Sequence, residues 1–391
     1  MGGASTRVSN AIKGLKKRGH KLTVVAAFPH YPHGKIPQKY GKKALAFENN
    51  DDVEVIRVWV PSLPHKGFAN RLTMYLSFTL CSLMALPFCG EVDVIWAASP
   101  NFFVYISGFI YKILKRASLV LDLVDLWPEA LVNLGFLRPS LATSMVSHSV
   151  DILYKLCDKI TTLHKVMRRE VLKRGISSGK IHIVENVVDL EVFHPYKAER
   201  SPTLQSRFVV MYSGNLGPAY DFETVLEAAR IFAGSDEVAF VLRGSGEYEG
   251  EIKKGVESLK LDNVLLLTEI LNVERVVDFL NMADAFLLPM KHVEKTEASF
   301  PLKLLEYLAC GKPVICCAEG VSANFVKRSQ SGIVVKPRDA KGLVEATSLL
   351  LKDEKLRREF GKNGVDYVSQ HFSCDEMGRK LENVFMSVQI A

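Results

Sequence analysis

The sequence predicts two doubly wound α/β domains, each a parallel sheet with helices on both faces. Three observations carry this reading. Continuous apolar runs of strand length alternate with helical patterns along the chain, as parallel strands buried on both faces require. The alternation stops at a polar stretch near residues 190–206 and then restarts. At 391 residues and 48% hydrophobic content, the chain is long and apolar enough for a core in each half.

The first half opens on Gly2-Gly3, followed by a helical pattern with Val8, Ala11, Ile12 and Leu15 on one face and Lys13, Lys16, Lys17 and Arg18 opposite. The basic last turn suits the negative helix end, and Gly19 stops it. A strand over 22–27 follows. A strand is expected before such a glycine loop, and none precedes this one, so either the start lies upstream or the sheet lacks its first strand. Further strands are predicted over 53–60, 92–97 and 118–123, with helices over 71–86 and 103–115. Strands over 159–163 and 181–184 flank a basic helix at 165–174.

In the second half the pattern predicts strands over 208–212, 239–243, 264–267 and 285–289, with helices over 222–232, 248–259 and 273–282 between them. The expected domains are 1–190 and 191–374. A last helix within 375–391 is expected to pack back toward the first domain.

Composition narrows the function classes. Lysine and arginine number 50 against 43 aspartates and glutamates, a net charge of +7 that suits an anionic small molecule or membrane surface. No aromatic-basic stripe accompanies it, so nucleic acid is not the expected partner. The seven cysteines form no C-x-x-C pair, which argues against a metal site and for a reducing, cytoplasmic setting. No secretory leader pattern opens the sequence. The apolar stretch 72–88 is at the lower limit for a membrane span and reads as a buried or interfacial helix.

The most informative segment runs from Ser299 to Ile315: a loop, a short helix starting near Pro301, a stop at Gly311, then the buried run Val314-Ile315-Cys316-Cys317. The helix start offers free N–H groups and a positive dipole end to a phosphate. Lys303 in the first turn opposes that dipole, which favours a role in neutralising a leaving group. Glu306, further along, is a candidate acceptor for ribose hydroxyls. Glycines in the loop Tyr212-Ser213-Gly214-Asn215-Leu216-Gly217, and Arg243 at the next strand end, are candidates for a diphosphate. For Arg243 a surface ion pair is the competing reading. Gly2-Gly3 reads equally as a phosphate loop or a tight turn. Asp125, in Asp125-Leu126-Trp127-Pro128-Glu129 after an apolar strand, reads as a sugar contact or a helix cap, and Trp127 as packing beneath it.

These motifs, in this order and spacing, resemble the family 4 glycosyltransferases of the GT-B fold, in the branch that assembles surface polysaccharides. The resemblance rests on Gly2-Gly3-Ala4-Ser5, Gly14 to His20, Ala98-Ser99-Pro100 with Phe102-Phe103, and Asp125 to Glu129. It continues through Asn186-Val187-Val188-Asp189 with Phe193-His194-Pro195, Ser213 to Gly217, Pro301 to Tyr307 and Gly311-Lys312-Pro313-Val314. It implies two Rossmann-like domains with a cleft between them, an acceptor-binding first domain and a nucleotide-sugar-binding second one. It implies retaining transfer of a sugar from a nucleoside diphosphate sugar to a glycan or lipid-linked acceptor, without a metal or other cofactor, at the cytoplasmic membrane face.

Carried onto this sequence, the resemblance gives Glu306 the ribose and the loop Ser299-Phe300-Pro301-Leu302-Lys303 the diphosphate and sugar. The family's second glutamate falls at Ala298, with Glu297 one position off as a substitute. Val124 stands where many relatives carry histidine, and the loop 213–221 lacks their Arg-Lys pair. A nucleotide-sugar 2-epimerase of the same fold and a non-catalytic two-lobed binding protein are the alternatives. A nicotinamide dehydrogenase is disfavoured, because no G-x-G-x-x-G joins a strand to a helix.

Overall fold

The computed structural model describes residues 3–30, 34–41, 43–63, 68–99, 101–129, 140–269, 271–291 and 300–389. The chain divides into two compact units. Unit 1 is Met1–Asn186 together with Cys374–Ala391, and unit 2 is Val187–Ser373. The division at 186/187 falls four residues before the one read from the sequence.

Unit 1 runs α1 (Gly3–Lys17), β1 (Thr23–Ala27), β2 (Leu45–Asn50), β3 (Val53–Val58), α2 (Phe68–Ser82), β4 (Val94–Ser99), α3 (Phe103–Lys115), β5 (Ser118–Leu123), α4 (Leu141–Leu156), β6 (Lys159–Thr162), α5 (Lys165–Lys173) and β7 (Ile181–Ile183). A 3-10 stretch, Leu83–Phe88, extends α2. The strands form two sheets, ordered β1–β3–β2 and β4–β5–β6–β7. The second is parallel throughout, whereas β2 pairs antiparallel with β3.

Sequence reasoning passes over β2 because its polar tip, Glu48-Asn49-Asn50, breaks the apolar run. The hairpin is closed by Asp51 and Asp52, both at positive φ (50° and 62°), the geometry of a type I′ turn. Local capping starts the helices that follow. Ser140 and Thr143 form a reciprocal capping box on α4, and His164 Nδ1 accepts from the Met167 N–H on α5.

Beneath the second sheet, Leu119, Leu121 and Leu123 pack with Tyr105, Val150, Tyr154 and Ile160. A charged cluster is embedded in this unit. Arg7 on α1 makes a bidentate pair with Asp122 on β5, both bonds 2.7 Å, and both side chains are buried. The same guanidinium donates to Val184 O, Glu185 O and Asn186 Oδ1, while Thr161 Oγ1 donates to Asp122 Oδ1 at 2.6 Å. All five guanidinium N–H groups thus have an acceptor, and Asp122 accepts three bonds, the condition under which a buried pair is tolerated.

Unit 2 runs β8 (Phe208–Ser213), α6 (Phe222–Ile231), β9 (Val238–Arg243), α7 (Glu249–Ser258), β10 (Val264–Leu267), α8 (Val273–Asn281), β11 (Ala285–Pro289), α9 (Leu302–Ala309), β12 (Val314–Cys317), α10 (Gly320–Ser329), β13 (Gly332–Val335), α11 (Ala340–Lys352) and α12 (Glu354–His371). Its six strands are parallel in the order β10–β9–β8–β11–β12–β13. The chain therefore winds outward one way from β8 and the other way from β11. Their boundary is the point where an open α/β sheet binds ligands, beyond the strand carboxyl ends. Strands β8, β9, β11 and β12 are buried along their whole length, so each reads as a continuous apolar run rather than an alternation.

The last helix, α13 (Cys374–Gln389), belongs to unit 1 and lies against α1. The two helices touch at Gly14 and Gly378. A Cβ on Gly14 would stand 2.0 Å from the Cys374 carbonyl oxygen, and one on Gly378 would stand 2.4 Å from the Gly14 carbonyl carbon. Glu382 fastens the far end, accepting from Arg18 Nε at 2.6 Å and lying 3.1 Å from His20 Nε2. All seven cysteines are free thiols, six of them buried.

Candidate functional site

The candidate site in unit 2 is built at the β8/β11 switch point by the loop after β8, the loop after β9 and the amino end of α9. Ser213 and Arg243 end their strands as paired neighbours, so the two loops start side by side. They are laced together by backbone: Gly214 N–H donates to Arg243 O at 2.8 Å, Leu216 N–H to Ser245 O at 3.0 Å, and Tyr248 N–H to Leu216 O at 2.9 Å. Gly214 and Gly244 have φ of 149° and 140°, in the region that favours glycine. A Cβ on Gly244 would sit 1.7 Å from the Gly214 carbonyl oxygen, and one on Gly214 only 2.4 Å from Lys303 Nζ.

Pro301 is the N-cap of α9 at φ −72°, ψ 133°, one position outside the helix, with Leu302 its first residue. The short rigid approach leaves the first N–H groups of α9 without a side-chain cap. Gly311, at φ 70°, follows the helix end.

Lys303 reaches from the first turn of α9 under the Gly214 loop. Its Nζ lies 4.1 and 4.0 Å from the ring centroids of Tyr212 and Tyr220 and donates to Tyr212 Oη at 2.6 Å. Tyr212 in turn donates to Asn215 O at 2.5 Å. Burial pushes the Lys303 ammonium down to about 7, partly offset by the Glu306 carboxylate. Burial pushes Glu306 the other way, above the usual carboxylate range, against the pull of Lys303 and Arg243. Glu306 accepts no hydrogen bond from the described residues, which leaves its oxygens available to a ligand.

Arg243 is buried, with only 8% of its surface exposed. The surface ion pair considered for it does not form. Its Nη1 donates to Ser213 Oγ at 2.9 Å, and its Nε is buried with no partner. A buried guanidinium N–H without an acceptor is costly, and an anion in the loops would satisfy it.

One residue the sequence reading missed holds these parts in register. Tyr307 on α9 accepts from Ser213 N–H at 2.8 Å and donates to Ser213 O at 3.0 Å, while its ring stacks on Phe286 of β11 at 4.1 Å. It ties α9 to the end of β8 across the switch point. Its only sequence signal is a tyrosine one residue after Glu306, indistinguishable there from a core aromatic. The tyrosine pair around Lys303 is equally silent in sequence.

The structure brings together Gly214, Asn215, Arg243, Lys303 and Glu306 in unit 2, with Phe300, Pro301 and Leu302 leading into α9. Phe300 points to a different environment. Its ring lies 4.8 Å from Phe325 and 6.4 Å from Phe372, so it anchors the approach to the helix. Gly2, Glu297 and Ser299 lie outside the described residues.

Gly3 and Asp125 belong to unit 1. Gly3 is the first residue of α1. Asp125 stands on the turn after β5, exposed at the rim yet crowded enough by protein that its carboxyl is raised above the ordinary range. Trp127 packs beneath, 5.4 Å from the Phe102 ring. Glu129, the second carboxylate of that corner, is taken by an ion pair with Arg174, which also donates to Asp151 and to Trp127 O, both at 2.8 Å. Among the described residues no group of three or more His, Cys, Asp or Glu side chains is placed to hold a metal ion.

Residues 2–187 match the family described as Glycosyl transferase 4-like domain, and residues 197–366 match Glycosyl transferases group 1. The chain is 28% identical over 231 residues to the putative teichuronic acid biosynthesis glycosyltransferase TuaH of Bacillus subtilis, a match spanning 58% of this chain and 55% of that protein. It is 22% identical over 380 residues to the putative colanic acid biosynthesis glycosyl transferase WcaI of Escherichia coli, covering 91% of each. Among solved structures, HepE of Anabaena in complex with UDP and glucose superposes with a TM-score of 0.69 at 16% identity, over 99% of this chain and 96% of that one.

Proposed function

The chain belongs to the glycosyltransferases of group 1 and family 4, with the GT-B fold, and we propose that it moves a sugar from a nucleoside diphosphate sugar to a growing surface glycan with retention of configuration. The observation that carries this reading is the set of groups converging at the β8/β11 switch point: the uncapped amino end of α9, Lys303, and the unpartnered Nε of buried Arg243. These suit a pyrophosphate, and Glu306, one helical turn from Lys303, suits the ribose hydroxyls.

In this reading unit 2 holds the donor. The nucleotide's pyrophosphate lies against the Gly214 loop and the first turn of α9. Lys303 and Arg243 take up the charge that develops on the leaving phosphate, so the transfer calls for no metal or further cofactor. Positioning and charge stabilisation supply most of the rate. Glu297, close before α9 in sequence, is assigned to the transferred sugar, with Ser299 and Phe300 on its approach. Unit 1 holds the acceptor, with Asp125 assigned to the acceptor sugar, and the Gly2-Gly3 start of the chain is assigned to the donor phosphates.

We assign the acceptor to the cytoplasmic face of a membrane, as a lipid-linked glycan. Support comes from exposed apolar residues of unit 1: Leu76 and Leu80 share a face of α2, Met84 and Phe88 lie in its 3-10 extension, and all four are 43–68% exposed. Ile113 and Leu114 at the end of α3 are exposed beside Lys112, Lys115 and Arg116. By length and composition Ala69–Phe88 passes for a membrane span, with 22% of it buried. Exposed apolar side chains with basic neighbours also suit an interfacial helix.

The donor assignment is tested by binding. Glu306→Gln should weaken a nucleoside and its diphosphate alike, by roughly tenfold, since it removes charge-assisted bonds to ribose. Unchanged affinity for both would overturn the ribose role. Flotation with phosphatidylglycerol vesicles tests the membrane assignment, and no retention would remove it.

A further inference from the structure

The base of the donor nucleotide has no protein group assigned to it, and unit 2 offers one. Glu269 is the second residue beyond β10, the edge strand beside β9. The two strands are parallel and pair to their ends, Leu267 opposite Arg243, and Gly244 N–H donates to Leu267 O at 2.8 Å. Thr268-Glu269 therefore leaves the sheet at the same carboxyl edge as the loops that carry Gly214 and Gly244, one strand further out.

Glu269 is exposed and makes no hydrogen bond or ion pair with any described residue. It lies close enough to Arg243 to act on it. Burial lowers the Arg243 guanidinium below its ordinary value, and Tyr307, Glu269 and Glu306 oppose that shift. Arg243 thus has two carboxylates in its neighbourhood, buried Glu306 from α9 and exposed Glu269 from the turn after β10, and is bonded to neither.

The order of groups along this edge decides what each can meet. From β11 toward β10 it runs through the amino end of α9 with Lys303, the Gly214 loop after β8, Arg243 at the end of β9, and Glu269 after β10. The cations and free N–H groups fix the phosphate end. A carboxylate repels phosphate, so Glu269 suits an uncharged part of the ligand that donates hydrogen bonds. Ribose falls to Glu306. Neighbouring strands lie about 4.8 Å apart, which puts the end of β10 roughly 10 Å from that of β8, far enough out for a base beyond a ribose.

A carboxylate presents two acceptors side by side and no donor. Of the common bases only guanine presents two adjacent donors, N1–H and the N2 amino group, and engages both oxygens at once. In uracil and thymine the single N3–H lies between two carbonyl oxygens. In adenine and cytosine the amino group lies beside a ring-nitrogen acceptor. Each of these sets a lone pair against one carboxylate oxygen, a built-in rejection. We propose that Glu269 reads the base and that the donor is a guanosine diphosphate sugar. This rests on the assignment of unit 2 to a nucleoside diphosphate sugar and narrows it.

The test is calorimetric titration of wild-type protein and Glu269→Gln with GDP, IDP and UDP. IDP differs from GDP only in lacking the N2 amino group. Wild-type protein should bind GDP at least about tenfold tighter than UDP, with IDP between them. Glutamine offers one acceptor and one donor, which match N3–H and O4 of uracil. Glu269→Gln should therefore lose about tenfold or more in affinity for GDP while keeping or improving its affinity for UDP. Retained UDP binding also shows that the variant is folded. If Glu269 were only a counter-charge for Arg243, the substitution would shift all three nucleotides by the same factor, and that result overturns the proposal. Wild-type protein that binds UDP as tightly as GDP also overturns it, while leaving the assignment of unit 2 to a nucleoside diphosphate intact. Wild-type protein that binds none of the three overturns both.

Discussion

Lys303 provides the sharpest quantitative prediction, because its environment works against its charge until a ligand arrives. Burial lowers it from 10.5 to about 7, roughly 5 kcal/mol of preference for the neutral amine. At pH 8 only about a tenth of the molecules would carry the proton. A pyrophosphate beside Nζ supplies the missing counter-charge and returns the group toward its ordinary value. Binding a nucleoside diphosphate at pH 8 should therefore take up close to 0.9 proton, and affinity should fall by nearly tenfold per pH unit above about 7 while staying flat below it. The assay is calorimetric titration in buffers of different ionisation enthalpy, such as Tris and HEPES. The nucleotide is the one giving the largest thermal shift among UDP, GDP, ADP and dTDP. Lys303→Met should abolish both the proton uptake and the pH slope. Wild-type protein with no uptake, or a variant with the same uptake, would refute the reasoning. The same shift has a folding consequence. The unfolded chain keeps this proton up to about 10.5, so between about pH 7 and 10.5 the unfolded state binds more protons and raising the pH stabilises unit 2.

Three further outcomes follow from the packing. Tyr307→Phe removes a hydroxyl that serves both polar groups of the buried Ser213 backbone, so urea denaturation should show a loss of about 1–3 kcal/mol, with weaker nucleotide binding. Arg7→Met leaves Asp122 buried without its partner and should cost about 3–5 kcal/mol of unit 1 stability, whereas Arg7→Met with Asp122→Leu should recover most of it, as a chemical denaturation cycle would show. Gly378→Leu forces a side chain into the Gly14 backbone, so α13 should leave α1, read as new protease cleavage near residue 374. An intact, fully stable Gly378→Leu protein would show that the contact is dispensable.

Much of the fold was legible because parallel strands buried on both faces announce themselves as apolar runs. β5, β10 and β11 fall at the residues the pattern predicts, as does α3. β2 was not legible, since half of it is polar and its pairing depends on a turn at Asp51-Asp52 whose positive φ values leave only a weak mark in sequence. The polar grip within unit 1 was invisible for a different reason. Arg7 and Asp122 are 115 positions apart, and no local pattern links them. At the candidate site, Gly214, Arg243 and Lys303 could be nominated because each ends or follows a strand or lies in the first turn of a helix, and Glu306 because it follows Lys303 by one turn. Tyr212, Tyr220 and Tyr307 could not. Their rings look like ordinary core residues, and only the folded arrangement reveals that two of them shelter an ammonium and the third joins α9 to β8.

The most direct test of the central claim is a crystal structure of the chain with its selected nucleoside diphosphate bound. The pyrophosphate should contact the first turn of α9, the Gly214 loop, Lys303 Nζ and the Arg243 guanidinium, with the ribose hydroxyls on Glu306. Nucleotide density elsewhere, with Arg243 Nε still unpartnered and Lys303 still closed between its two tyrosines, would contradict it.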